Sequence, residues 1–484
     1  MADSTTNRPA PTRMGAAAGA AADAPGFTPS SILALGFAAA ALLAALAAPV
    51  PEGWNPASIR VAGLTVATVT LLASGALPLG ITAVGFLTFG MLLKVQPAAV
   101  VFSGFASGAL WLVFGGMVIG VAVNHTGLGE RFARAALQGI GNSYGRVLTG
   151  IAAVAMALSF VMPSSMGRVV LLVPLVVAIA EALGFGPRSR GRAGMVMVAA
   201  LVCFTPGGTI LPSHLPGMIL AGAAETLYGT VFTYGGYLLV NFPVMGVLRA
   251  GLIVAVALIL FRDSPRKEAG PSSARTALKR GEIRLAAILA LALVFWVTDT
   301  LHGIAAPWVG LAAAFVLLLP GLNLVPAKTV NERLDYASVL YTAAVIGMGA
   351  SIAASGLASE LGHWLLDLVP SESAPRWASF MALSASSALM GMITTNPAVP
   401  AVLSPLAGDL AELTRLPVET VLYTQVFGFT NVVLPYQASP ILVAMGLSGV
   451  GIGEGSRFTL AVTALSLAIL LPLEFLWWQW LGLV

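Results

Sequence analysis

Apolar and polar positions alternate along this chain on the scale of whole membrane spans. Residues 61–93, 95–129, 193–224, 377–408 and 420–453 contain no Asp, Glu, Lys or Arg. Each run exceeds the roughly 20 apolar residues that cross a hydrocarbon core. Read with their flanking loops, the runs predict eleven spans near 30–50, 59–75, 77–94, 106–128, 193–222, 228–260, 284–301, 305–322, 336–358, 415–447 and 458–481. Two further apolar stretches, 147–184 and 377–411, carry Pro, Gly, Ser and Thr at their centres. They read as pairs of half-length helices that enter and leave on the same side, because non-helical backbone at membrane depth is tolerated only where protein or a polar cavity surrounds it. The fold class expected is an all-α polytopic membrane protein with about 11 transmembrane helices and two re-entrant hairpins.

Charge sets the orientation. With the N-terminus inside, Arg131, Arg134, Arg146, Arg188, Arg190, Arg192 and the seven basic residues of 262–284 fall in inner loops. Outer segments hold Arg60, Lys94, Arg376 and Arg415 with the acids Glu360, Asp367, Glu372, Asp409, Glu412 and Glu419. The asymmetry follows the positive-inside rule only if both hairpins are re-entrant, and it puts the C-terminus in the periplasmic or extracellular space. The organisation expected is a disordered cytoplasmic tail over 1–28, an N-terminal membrane half over 29–261, a basic cytoplasmic linker over 262–283 and a C-terminal half over 284–484.

The halves repeat one another. Residues 104–134 and 335–364 are each a long apolar helix closing on Gly-Leu, at Gly127–Leu128 and Gly356–Leu357. Each precedes a hairpin, and each hairpin precedes a helix broken by Pro and Gly: TPGGTILPSHLPGMILAG at 205–222 and NVVLPYQASPILVAMG at 431–446. An odd number of crossings separates the copies, so they are inverted, with hairpin 147–184 opening inward and hairpin 377–411 opening outward.

Composition agrees with a lipid solvent: 58% of the residues are hydrophobic and 9% charged. The basic residues lie in loops between spans, which argues for topology rather than a nucleic-acid partner. The single cysteine, Cys203, excludes an internal disulfide and reads as a small core residue. No HExxH, membrane aspartate pair or GxSxG turn is present, so no enzyme chemistry and no organic cofactor are expected.

A hairpin tip at mid-membrane leaves peptide groups without helical partners, and that cost calls for a guest. Hydroxyl and amide oxygens beside such a break suit sodium, whereas free helix N-termini suit an anion. Within the hairpins and the first broken helix stand residues of this kind: Ser164, Ser165 and Thr395 with their hydroxyls, Asn396 with its amide, and the loop glycines Gly207 and Gly208. His214 and Ser439 lie in the broken-helix loops, and Gln437 and Asn431 stand opposite His214 in the other repeat. Taken singly these polar residues would cap helices or cross-link them; their duplicated placement points to binding. Arg168 sits two residues past the first tip inside a charge-free stretch. A guanidinium there pairs with the anionic substrate, stands in for a sodium ion, or binds carbonyls and snorkels inward. Asp299, His302 and Glu181 read as interfacial groups, and Trp477, Trp478 and Trp480 as an aromatic belt.

Through ALPLGITAV at 76–84, GLGERFAR at 127–134, the two hairpins and the two broken helices, nearly the whole chain resembles the divalent-anion/sodium symporter family of the ion transporter superfamily. Where that family carries a Ser-Asn-Thr tip ahead of a proline, this chain has Ser164, Ser165 and Met166 before Pro174, and Thr395, Asn396 and Pro397 before Pro405. The family's Thr-Pro-Pro loop corresponds to His214–Leu215–Pro216 and Ala438–Ser439–Pro440. The resemblance implies one cation site between the first tip and 205–213, and a second between 395–396 and 434–438 that includes Ala438. It implies a homodimer in the bacterial inner membrane, elevator-like alternating access, and small anions such as carboxylates, sulfate or sulfonates as cargo. Sodium is the expected coupling ion, with protons or anion exchange as alternatives; a large subunit of a binding-protein-dependent carrier shares the same architecture.

Overall fold

The computed structural model describes residues 28–50, 55–137, 143–265, 277–358, 360, 375–394 and 396–484. Among them every regular element is helical. Helix starts follow from local chemistry: the side chains of Thr28, Asn55, Ser107 and Asp335 accept backbone N–H groups from the first turns of Pro29–Ala47, Pro56–Ser74, Gly108–Thr126 and Tyr336–Ser355. Nine helices among the described residues are long and apolar enough to cross a membrane. Seven of them match expected spans and two, Tyr144–Val161 and Ser165–Ala182, are the arms of the first hairpin; the four expected spans missing from the nine have plain causes. Leu79–Leu92 and Ala306–Leu318 are short, Arg280–Val297 starts with charged residues, and the 415–447 span is split. The chain is a multi-pass all-α membrane protein.

Gly127 and Gly356, the glycines that mark the repeat in sequence, end Gly108–Thr126 and Tyr336–Ser355 in the left-handed region at φ 78° and 81°. Gly229 and Gly449 do the same for the two broken helices, at φ 65° and 73°. The helices that follow each carry a π-helical stretch, Phe242–Leu248 and Ser466–Leu470, beside Pro243 and Pro472. Turn chemistry and helix irregularities therefore recur together in the two halves.

The first hairpin consists of Tyr144–Val161 and Ser165–Ala182. These arms are longer than the half-length helices expected, because the break is confined to Met162, Pro163 and Ser164 and the second arm continues through Pro174. The second hairpin, Arg376–Ile393 followed by Ala398–Leu403 and Ala407–Thr414, is more broken, with a 3-10 turn at Ser404–Leu406. Two prolines, Pro400 and Pro405, explain the difference.

At the centre stands Arg190–Phe204, buried from Gly191 to Phe204. Both arms of the first hairpin pack on it. Ser439–Ser448, from the other half, packs on it and on Ser165–Ala182. Reciprocally, Leu215–Tyr228 crosses to Ala398–Leu403 of the second hairpin. The Tyr228 hydroxyl fastens that crossing, donating to the Ser404 carbonyl at 2.7 Å and accepting from the Gly408 N–H at 3.0 Å. Pro29–Ala47 buries only Ala38 and lies at the periphery.

Two expectations for the interface fail. Asp299 is buried and accepts the Tyr234 N–H at 2.5 Å, so it satisfies the start of Tyr234–Asn241 instead of facing water. Trp478 is 1% exposed and donates to the Val240 carbonyl at 3.2 Å, with Phe380 edge-on to its ring; it belongs to the core, whereas Trp480 is 74% exposed. Trp478→Ala is expected to cost about 3–5 kcal/mol and to lower the melting temperature in detergent. Trp480→Ala should leave it nearly unchanged, and equal shifts for the two would contradict this packing.

Candidate functional site

Both helix breaks of the first repeat meet at one place. Arg190–Phe204 gives way to 3-10 turns at Pro206–Thr209 and Leu211–Ser213 before Leu215–Tyr228 resumes, and the first hairpin tip lies against this loop. Arg168 binds the two together. Its guanidinium donates to the carbonyls of Met162 at the tip, Cys203 at 2.6 Å and Ser213 at 3.1 Å. The side chain is fully buried. Among the described residues no carboxylate forms an ion pair with it. Of the readings open to Arg168, carbonyl binding is the geometry observed, and it does so at the C-terminal end of a helix, where a cation is favoured. Gly207 makes room: a Cβ there would stand 2.6 Å from the Arg168 Nη2. Gly208 has another reason to be small, since its Cβ would stand 2.4 Å from Thr430 Cγ2 of the other repeat's broken helix.

The break of the second repeat has a partner in the first half that sequence reasoning missed. Arg249, in the helix after the first broken helix, is fully buried and donates to Thr430 Oγ1 at 3.1 Å and to Asn431 Oδ1. These groups end Val418–Thr430, so this second break also faces a guanidinium. Glu474 is 2% exposed and lies within electrostatic reach of Arg249. A lone Arg inside the 228–260 run and a lone Glu inside 458–481 were the available signals; both are charges in otherwise apolar spans.

The two repeats converge on a cavity of about 660 Å³. Of the residues expected to bind, Ser164, Ser165, His214, Asn396, Gln437, Ala438 and Ser439 all line it. Arg168, Gly207 and Gly208 do not; they form the layer behind. Thr395 lies outside the described residues. The Ser164 hydroxyl accepts the Gly167 N–H at 3.1 Å and so caps the second arm of its hairpin. Gln437 bridges loop and tip, accepting from the Leu434 N–H and donating to the Gly391 carbonyl, both at 2.7 Å. The His214 ring sits between Phe204 and Phe429, with centroids 4.6 and 6.0 Å away. Asn396 is different: it is 1% exposed, and neither atom of its amide has a hydrogen-bond partner. A buried amide left in that state costs about 1–3 kcal/mol, and here it borders a cavity.

From the tips the cavity runs to the Gly75–Leu79 turn and to Asp335, at the adjoining ends of Pro56–Ser74 and Tyr336–Ser355. Asp335 is exposed, and the Tyr436 ring is 58% exposed. The site therefore has a route to one face of the helical bundle. Among the described residues no group of three or more His, Cys, Asp or Glu side chains could hold a metal ion.

A family model described as the sodium:sulfate symporter transmembrane region matches residues 30–484. A membrane protein of Cupriavidus necator is 27% identical over 92% of each chain. Dicarboxylate transporter 2.2, chloroplastic, of Arabidopsis thaliana is 23% identical over 89% of this chain and 80% of its own. Inner membrane protein YbhI of Escherichia coli is 24% identical over 52% of this chain and 54% of its own.

Gly207→Ala drives a methyl into the Arg168 guanidinium and is expected to destabilise the protein by about 1–3 kcal/mol. Gly446→Ala, where a Cβ meets nothing within 4 Å inside a helix, should be neutral or slightly stabilising. Thermal unfolding of both variants checks the contrast.

Proposed function

Because the chain belongs to the sodium:sulfate symporter family, we propose that this multi-pass transport protein is a secondary carrier of small anions, working by alternating access around the cavity between its two hairpin tips. The observation that carries the reading is the meeting of both tips and both broken-helix loops at one cavity bordered by the unpartnered Asn396 amide. Hydroxyls of Ser165 and Ser439 and the free amide of Asn396 supply donors for an anion. The first tip touches the break at the middle of the 190–228 span, which supports re-entrant hairpins reaching mid-membrane. With the N-terminus cytoplasmic, the Gly75–Leu79 turn and Asp335 lie on the inner side, and the structure is an inward-facing state in the cytoplasmic membrane. The hairpins, broken helices and the helices following them form the moving unit. The rest form a scaffold, through which family resemblance suggests a homodimer.

Coupling follows from Arg168. The carbonyls of Met162, Cys203 and Ser213 lie between first tip and loop, beside the Ser164, Ser165, Gly207 and Gly208 expected to hold a cation, and the guanidinium already occupies them. At the second break Gln437 takes the Gly391 carbonyl, and Arg249 takes the oxygens of Thr430 and Asn431. These donor sets do not fit sodium as they stand, so the reading favoured is anion exchange with fixed positive charges in place of coupling ions.

Two measurements test this. Uptake into proteoliposomes loaded with the same anion should be equal in sodium and in choline chloride; a requirement for sodium would defeat the exchange reading while leaving the carrier intact. Asn396→Ala should raise the half-saturating anion concentration about tenfold, the loss of one hydrogen bond to a charged group at roughly 1.5 kcal/mol, with little change in melting temperature. Unchanged affinity in a folded Asn396→Ala carrier would remove the cavity from the mechanism.

A further inference from the structure

The moving unit and the scaffold are fastened to each other by two carboxylates, and the fastening is reciprocal. Glu225, near the end of the moving helix Leu215–Tyr228, accepts the Gly108 N–H at 3.3 Å and so caps the scaffold helix Gly108–Thr126. Asp299, in the scaffold, accepts the Tyr234 N–H at 2.5 Å and caps the moving helix Tyr234–Asn241. Each body supplies an acid to a helix N-terminus of the other, where free N–H groups and the helix dipole favour a negative charge. With the N-terminus cytoplasmic, both caps lie on the outer side, opposite the face to which the cavity opens.

Packing around the caps leaves no slack. A Cβ on Gly222, three residues before Glu225, would stand 2.6 Å from the Ala109 Cβ and 2.9 Å from the Ser107 Oγ, so the moving helix touches the scaffold through its bare backbone there. A Cβ on Gly108 would stand 3.2 Å from the Glu225 carboxylate. At the second cap Tyr234 and Trp296, both buried, stack across the same boundary with ring centroids 6.0 Å apart and planes 15° apart. These contacts belong to one relative level of the two bodies. A displacement of one helical turn, about 5.4 Å, takes both N–H groups out of hydrogen-bond range, which ends at about 3.2 Å. Glu225 is exposed, so water replaces its bond once it is released. The cap therefore holds the position without locking it.

We propose that Glu225 and Asp299 are a pair of latches that hold the carrier in its inward-facing state and open together when the moving unit travels outward. This rests on the carrier reading above and deepens it, because it names what sets the balance between the two states.

Accessibility of an introduced thiol tests the proposal. The single native cysteine, Cys203, is buried, so Tyr436→Cys, at an exposed cavity position of the moving unit, supplies the thiol that an impermeant maleimide reaches. Labelling is compared in inside-out and right-side-out vesicles. With both latches intact the thiol should react mainly from the inner side. Glu225→Ala should raise the ratio of outer to inner labelling about fivefold, Asp299→Ala should act in the same direction, and the two together should go further. Glu225→Gln, which keeps an oxygen acceptor, should return part of the effect, and Thr226→Ala, exposed beside it, should have none. An unchanged ratio in Glu225→Ala at an unaltered melting temperature overturns the latch and leaves the carrier standing. Labelling from one side alone in every variant, together with no uptake of succinate or sulfate into proteoliposomes, overturns both.

Discussion

Interrupted backbone inside an apolar bundle is the constraint on which this molecule turns. Among the described residues four helices break within spans or hairpins, at 162–164, 205–214, 394 with 396–397, and 431–438, and each break releases carbonyl and N–H groups that lipid cannot satisfy. The protein answers with long-range polar side chains. Arg168 gathers three carbonyls from tip and loop, Gln437 joins a loop to an arm of the hairpin in its own repeat, and Arg249 meets the end of a helix from the other half. Asn396 alone among the tip residues described keeps its whole amide unengaged.

That distribution links stability with function. Groups facing away from the cavity are tied into fixed bonds, so the breaks are held open without a guest. Of the groups lining it, Ser164, Gln437 and Asp335 are also tied, and the Asn396 amide keeps its capacity in reserve. A guanidinium is suited to the first task because its planar fork reaches several oxygens at once and retains its charge when buried. The same property places a permanent positive charge in the layer behind the cavity. The reciprocal packing of Leu215–Tyr228 on the second hairpin and Ser439–Ser448 on the first makes the hairpins and broken helices one interlocked unit, a condition for moving the site as a body.

Small residues and prolines perform the geometric work. Gly207 and Gly208 sit at the closest approach of Arg168 and Thr430, and neither position tolerates a methyl group without displacement. Paired π-helical stretches follow both broken helices beside Pro243 and Pro472, an irregularity duplicated along with the fold.

Much of this architecture was legible without coordinates because bilayer thickness imposes a length on every apolar run and charge marks its ends. The spans, the repeat glycines Gly127 and Gly356, and the broken helices are local features of that kind. So was the membership of Ser164, Ser165, His214, Asn396, Gln437 and Ser439 in one neighbourhood, since duplicated breaks imply a shared place. What local pattern could not supply were partners distant in the chain. Arg249 meets Thr430 across 181 positions, Asp299 serves the Tyr234 amide rather than water, and Trp478 turns inward to Val240. Sequence determined where the backbone must break; tertiary structure decided which side chain satisfies each break, because a buried polar group takes the partner nearest in space and the order of residues does not disclose it.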